Sequence, residues 1–174
     1  MVASEKICTF ARKNLLHKCN LMKMTPLVAK QYTQEQLSAS QAQHLAHEIA
    51  FAPVVFQVSR LMVKFGILDA LFAHPEGLTQ EEIAQQTHLS PYAVQVLLEA
   101  SLSIGTVIVK EDRFLMTKAG WFLLKDDAVR INMEFIHQVC YQGLFYMEEA
   151  LKEGKPEGLK VFGNWPTIYE GLSS

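Results

Sequence analysis

The amino-acid sequence predicts a mainly α-helical fold: a winged helix-turn-helix core with a small β-hairpin, together with N-terminal and long C-terminal dimerisation helices. Three observations predict it, namely the helical spacing of apolar residues, the start and stop signals between helices, and two short β-prone runs after them. The chain has 174 residues, of which 49% are hydrophobic and 20% are charged, so it can bury a core of ordinary size.

The first predicted helices lie in the N-terminal half of the chain. A segment rich in Gln, Ser and Ala is typical of a mobile arm that leads into a helix near Gln41. From Phe51 to Phe65, apolar residues recur at positions i, i+3, i+4 and i+7, which indicates a further helix with one buried face. Gly66 is a typical helix stop, and a short helix over residues 67–73 follows it.

Cap signals place the next two helices. Thr79 and Glu82 have the spacing of a capping box, in which each side chain accepts a hydrogen bond from the backbone of the other residue, so a helix begins there. Ser90 followed by Pro91 is a usual helix start, and Gly105 ends the second helix. These two helices form the predicted helix-turn-helix.

Two β-prone runs within residues 106–116 flank a Lys-Glu-Asp turn, which predicts the small hairpin, or wing. Thr117 then caps a short helix. Beyond it, one long apolar helical stretch is predicted from about Asp126 to Leu151, in which Gly143 permits a kink.

The second helix of the predicted helix-turn-helix, residues 91–104, decides between two functional interpretations. A helix that reads DNA needs Lys and Arg around it to neutralise phosphates, yet no Lys or Arg lies between Lys64 and Lys110. Apolar side chains surround most of this helix instead, which predicts that it is buried against protein. We therefore expect no nucleic-acid partner, while Lys110, Arg113 and Lys118 near the hairpin favour the alternative, a winged-helix transcriptional regulator or ligand sensor.

Cysteine content and hydropathy indicate the cellular setting. Three cysteines, Cys8, Cys19 and Cys140, have neither paired spacing nor a CxxC motif, which favours reduced thiols in the cytoplasm. Apolar stretches end well before the roughly 18 residues that a membrane span needs, so we expect no membrane segment.

The sequence divides into residues 1–40, a basic leader and flexible arm, and residues 41–174, the winged-helix dimerisation domain. Two interpretations of the leader are open. Its basic, acid-poor composition resembles a transit peptide, and it also fits an over-long start, with translation beginning at Met22 or Met24.

Two groups of side chains have spacings that suggest a metal site or a catalytic pair. His44, His47 and Glu48 can share a helical face, but two histidines without a third ligand at zinc spacing are too few, so we expect no metal site. His137 and Cys140 lie three residues apart and would suit a base and its nucleophile. Because no carboxylate is evident to orient the histidine, packing in an apolar helix is the favoured interpretation, and we expect no catalytic residue.

The long C-terminal helical stretch is rich in aromatic residues, which suits a pocket for a flat aromatic substrate or a dimer core. The core role is favoured, and the two roles are compatible. The candidate substrate-pocket residues are Met133, His137, Tyr141 and Phe145. The candidate dimer-interface residues are Phe51, Val55, Val58, Met62, Phe135 and Val139.

Five segments occur in an order that is typical of one enzyme family. They are residues 51–65, 66–71 (GILDAL), 78–84 (LTQEEIA), 96–98 (VLL) and 114–120 (FLMTKAG). Over roughly residues 45–172 the chain thus resembles the N-terminal winged-helix dimerisation domain of the class I S-adenosylmethionine-dependent O-methyltransferase-like family. Two features depart from the family: Val96 stands where members often carry an Arg, and none of the nine glycines forms a GxGxG turn.

The resemblance implies the N-terminal dimerisation and substrate-pocket-shaping domain of a methyltransferase. It implies a homodimer in which the N-terminal domains of two subunits interlock, a small-molecule acceptor, and S-adenosylmethionine as the cofactor of the whole enzyme. Because the Rossmann-like cofactor-binding domain is not in this sequence, we expect the chain to be a piece of such an enzyme, to bind no cofactor and to be inactive alone.

Overall fold

A computed structural model describes residues 32–163, 165–167 and 169–170. The sequence predictions on residues 1–31 of the leader, on Met22 and Met24 as starts, and on Cys8 and Cys19 lie outside these residues. The chain divides into two compact units, Met1–Phe51 and Ala52–Ser174, which are described separately.

In the first unit, helix α1 (Ala39–Lys64) begins, and it continues into the second unit. Ser38 caps it: the Ser38 hydroxyl accepts a hydrogen bond from the Gln41 backbone N–H at 3.3 Å, while the Gln41 side-chain oxygen accepts one from the Ser38 N–H at 2.9 Å. The expected second helix start at Phe51 is wrong, because α1 is continuous through Pro53. Proline removes one backbone donor, and this helix tolerates the loss without ending.

In the second unit, three shorter helices follow: α2 (Ile67–Ala73), α3 (Gln80–Thr87) and α4 (Pro91–Ile104). The expected caps are confirmed. Thr79 and Glu82 form the reciprocal capping box of α3, and the Ser90 hydroxyl accepts a hydrogen bond from the third residue of α4. Gly105 ends α4 at φ 84°, in the left-handed region that glycine adopts without strain.

The expected hairpin is also present. Strands β1 (Val107–Lys110) and β2 (Arg113–Met116) pair antiparallel, with Val107 opposite Met116. An isolated bridge between Leu78 and Phe114 joins the hairpin to the segment just before α3. The helices and this two-stranded sheet give a mainly helical unit with a helix–helix–hairpin order.

The long C-terminal helix expected over residues 126–151 is divided. The structure has α5 (Lys118–Lys125), α6 (Asp127–Phe135), a π-helix (Ile136–Cys140), a 3₁₀-helix (Gly143–Tyr146), α7 (Met147–Glu153) and a 3₁₀-helix (Glu157–Val161).

Two glycines in the divided stretch approach each other closely. A Cβ atom added at Gly158 would lie only 2.6 Å from the Gly143 carbonyl oxygen, so the two 3₁₀-helices touch through their backbones. Ordinary side chains at these two positions would not allow that contact, because no Cβ fits there.

The core of the second unit lies where α1, α2, α3, α4 and β1 meet. Its largest fully buried side chains are Met62, Ile67, Leu68, Ile83, Val94, Leu98 and Val107. In the described residues, no single helix combines the length and apolar composition of a membrane span; α1 and α2 do so only as a pair bent by 58°.

Candidate functional site

Helix α4, the predicted reading helix of the helix-turn-helix, is buried on one face only. Val94, Leu97 and Leu98 lie in the core, whereas Tyr92 is 76% exposed and Val96 is 44% exposed. The expectation that α4 is buried on nearly every side is therefore wrong, because its outer apolar side chains face solvent. α4 carries no Lys or Arg.

The hairpin cation Arg113 is bound within the chain. Its guanidinium contacts the Glu82 carboxylate at 3.0 and 3.3 Å and donates to the Gly77 carbonyl oxygen at 2.7 Å. The hydrogen bond that the carboxylate accepts from the Thr79 backbone, followed by the Arg113 contact, lowers the pKa of Glu82. Arg113 thus binds the Glu82 carboxylate of the capping box instead of presenting its charge to a phosphate.

Of the predicted substrate-pocket residues, Tyr141 contacts α1 and His137 lies near Tyr141. The Tyr141 ring stacks on Phe56 with 5.4 Å between ring centroids, and its hydroxyl donates to the Pro53 carbonyl oxygen at 3.2 Å. The His137 ring lies 6.4 Å from that of Tyr141, and its buried Nδ1 has no hydrogen-bond partner. Tyr141, directly after the π-helix, therefore packs against α1.

The other two pocket candidates lie elsewhere in the second unit. Met133 lines a cleft between α1, α5 and α6, while Phe145 is 83% exposed and borders a shallow depression with Tyr146 and Val161. The structure thus does not bring the four predicted pocket residues around one cavity.

The six interface candidates differ in exposure. Met62 is fully buried and Val58 nearly so, and both belong to the core of their own chain. The role predicted for these two is corrected accordingly, because their side chains have little surface left for a partner. Val55 and Val139 are half-buried, and Phe51 and Phe135 are exposed.

Exposed apolar side chains occur in both units. In the first unit, Leu45 and Ile49 are exposed one helical turn apart on α1. In the second unit, exposed apolar side chains follow from α6 to α7, and they are Ile131, Phe135, Leu144, Phe145, Met147 and Leu151. Because large exposed apolar patches mark interaction sites, these side chains are candidates for contact with another protein.

Two of the residues considered for a metal site contact each other on α1. The His44 Nε2 atom lies 3.4 Å from the Glu48 carboxylate, one helical turn away, and both side chains are exposed. No group of three His, Cys, Asp or Glu side chains converges in the described part of the chain. Cys140 is a half-buried free thiol.

The cleft beside Met133 has a volume of about 330 Å³ and contains a residue that sequence reasoning missed. Arg60 lines it, although this arginine is only 9% exposed. Its Nε lies 3.5 Å from a Glu134 carboxylate oxygen but makes no hydrogen bond. One signal in the sequence could have indicated it: a lone arginine among the apolar residues of the helix.

The family model for the Dimerisation2-like domain matches residues 43–114 of the chain, from α1 through Phe114 in β2. Residues 43–114 are thus similar to Dimerisation2-like domains. This match confirms the family resemblance, and it includes helices α2, α3 and α4 and most of the hairpin. A sequence search of curated proteins gives no match.

Solved structures share the fold of this chain over two thirds or more of its length. The S-adenosylmethionine-dependent methyltransferase SibL is similar at 20% identity and a TM-score of 0.60, over 68% of this chain and 35% of SibL. Human N-acetylserotonin methyltransferase in complex with SAM is similar at 19% identity and a TM-score of 0.54, over 68% and 37% of the two chains. LepI in complex with SAM is similar at 12% identity and a TM-score of 0.64, over 98% and 47%. The chain therefore spans less than half the length of these proteins.

Proposed function

We propose that this chain is the dimerisation domain of an S-adenosylmethionine-dependent methyltransferase, and that two copies associate as a homodimer. The match to the Dimerisation2-like domain carries the proposal. The fold shared with SibL and with human N-acetylserotonin methyltransferase supports it, since S-adenosylmethionine is named with both. The order of helices followed by a hairpin fits a winged helix whose reading helix serves protein packing.

The exposed apolar side chains are the surface that we assign to the partner copy. Homodimer interfaces are more apolar than ordinary protein surfaces and are enriched in aromatic residues at their centres. Phe51 in the first unit and Phe135 in the second are both aromatic and exposed. A second copy of the chain would remove both from water.

The acceptor pocket is part of the same proposal. His137 and Tyr141 lie near each other, with ring centroids 6.4 Å apart, and Met133 lines the cleft between α1, α5 and α6. Sites for small molecules are mostly apolar with few polar groups. In the whole enzyme these residues would shape one wall of the acceptor site, while methyl transfer would belong to the cofactor-binding half. We place the protein in the cytoplasm, where reduced cysteines persist.

Reading of DNA by α4 is the alternative, and we infer that it does not occur. α4 has no cation of its own, and Arg113 is held by Glu82. Phosphate contacts supply most of non-specific DNA affinity. The chain should show no band shift with a generic duplex at low salt, and a salt-sensitive shift would favour the regulator instead.

Paired substitutions test the homodimer. Phe51→Ala and Phe135→Ala should each raise the dimer dissociation constant about tenfold or more, as removal of a central aromatic anchor does. Tyr92→Ala is the matched control, since Tyr92 is an exposed aromatic residue on α4, and it should leave association unchanged. Sedimentation velocity over a concentration series measures all three. Equal effects from all three variants, or none, would refute the assigned surface.

A further inference from the structure

The cleft around Arg60 enters the acceptor-pocket proposal only through Met133, and that proposal leaves its charged residues unused. We infer that this cleft binds a small molecule with a single carboxylate on an apolar body, such as an aromatic or branched aliphatic acid. All of its lining residues lie in the second unit, so the inference does not depend on the dimer.

Arg60 itself points to an anionic ligand. A buried guanidinium is costly unless acceptors satisfy it, and its five N–H donors cannot lose their positive charge at ordinary pH. The side chain is only 10% exposed, and its Nε has no hydrogen-bond acceptor. The nearest carboxylate, on Glu134, lies at 3.5 Å and is itself half exposed, which makes it a weak partner.

The charges around the cleft limit the ligand to a monoanion. Three cationic side chains, Arg60, Lys64 and Arg130, line it together with two anionic ones, Asp127 and Glu134. Arg130 and Asp127 neutralise each other at 3.1 Å. The sum of these charges is +1, which a single carboxylate balances.

The walls of the cleft favour an apolar body over a bare inorganic anion. Val63, Leu123, Ile131 and Met133 line it beside the charged groups. Its volume of about 330 Å³ is at the lower end of sites that hold small molecules. Arginine binds carboxylates through two parallel hydrogen bonds, so Arg60 would hold the acid group while the aliphatic walls cover the ring or chain.

Titration of the whole chain with benzoate, followed by ¹⁵N chemical shifts, tests the inference. We expect saturable shifts at the cleft residues with a Kd of about 1 mM, as for a very small ligand. Neutral benzamide has nearly the same shape and should bind about tenfold more weakly, and inorganic phosphate should bind no more tightly than benzamide. An absence of saturable shifts with benzoate, or equal binding of benzamide or phosphate, would overturn the inference.

Two substitutions with opposite expected effects sharpen the test. Arg60→Met keeps an apolar side chain of similar length and should weaken benzoate binding at least about tenfold. Glu134→Gln removes the competing carboxylate and should strengthen binding about two- to fivefold. Lys110→Gln, on the hairpin, is the control and should change nothing. Glu134 is half exposed, so this variant decides the question even where Arg60→Met fails to fold; weaker binding by Glu134→Gln contradicts the site.

Discussion

Replacing Gly120 by alanine would place a methyl group where the backbone leaves no room. Gly120 is buried in α5, and a Cβ added there would lie 2.5 Å from the Thr106 carbonyl oxygen and 2.7 Å from the Met116 Cγ. The Thr106 oxygen is fixed, because it accepts hydrogen bonds from both the backbone N–H of Thr117 at 3.1 Å and its hydroxyl at 3.0 Å. The clash therefore falls on backbone that also anchors the start of α5.

The expected magnitude follows from opposing effects. In an exposed helix, glycine to alanine stabilises by about 1 kcal/mol, whereas overpacking a dense core costs about 1–3 kcal/mol and a lost hydrogen bond about 1 kcal/mol. Because the clash is with backbone, we expect Gly120→Ala to lower the free energy of unfolding by about 2–3 kcal/mol. Urea unfolding followed by circular dichroism measures it. Ala119→Gly, exposed in the same helix, is the control and should lose about 1 kcal/mol. A Gly120→Ala variant as stable as the wild type would refute the packing described for α5.

Two further substitutions test the core and the capping box. Met62→Ala should lower the free energy of unfolding by about 2–5 kcal/mol, because Met62 is fully buried. Val96 is exposed, so the free energy of unfolding of Val96→Ala should stay within about 0.5 kcal/mol of the wild-type value in the same urea titration. Equal losses from the two variants would contradict the assigned core. The pKa of Glu82 is lowered in the folded state, so the ionised side chain stabilises the fold. This contribution is fully present above the unfolded pKa of about 4.3 and is lost as pH falls through the lowered value. The difference in unfolding free energy between wild type and Glu82→Gln should therefore narrow from pH 6 to pH 3. A difference that stays constant over this range would contradict the lowered pKa of Glu82, which the hydrogen bond from Thr79 and the contact with Arg113 cause.

Sequence signals located the elements whose boundaries rest on local hydrogen bonds. Thr79 with Glu82, Ser90, and Gly105 each mark a helix end through contacts within a few residues, and such contacts depend little on the rest of the fold. The hairpin was predictable for the same reason. Pro53 misled the prediction because a proline is usual in a first turn, yet here it lies within a long helix.

The sequence pattern does not predict features that depend on contacts between residues far apart in the chain. The break in the C-terminal helical stretch involves Gly158, which contacts Gly143 only after the chain has folded. Helix α4 is rich in apolar residues, but periodicity does not reveal which of its faces the remainder of the unit covers. The Arg60 cleft needs residues from α1, α5 and α6 together, so no spacing along the chain indicates it.

We propose that this chain associates with a second copy of itself. Sedimentation equilibrium of the purified chain, from about 1 to 100 µM, tests this association directly, because it measures a molecular mass that does not depend on shape. We expect a mass of twice 19.7 kDa at the upper concentrations, with dissociation only on dilution. A mass of 19.7 kDa throughout the series would contradict the account.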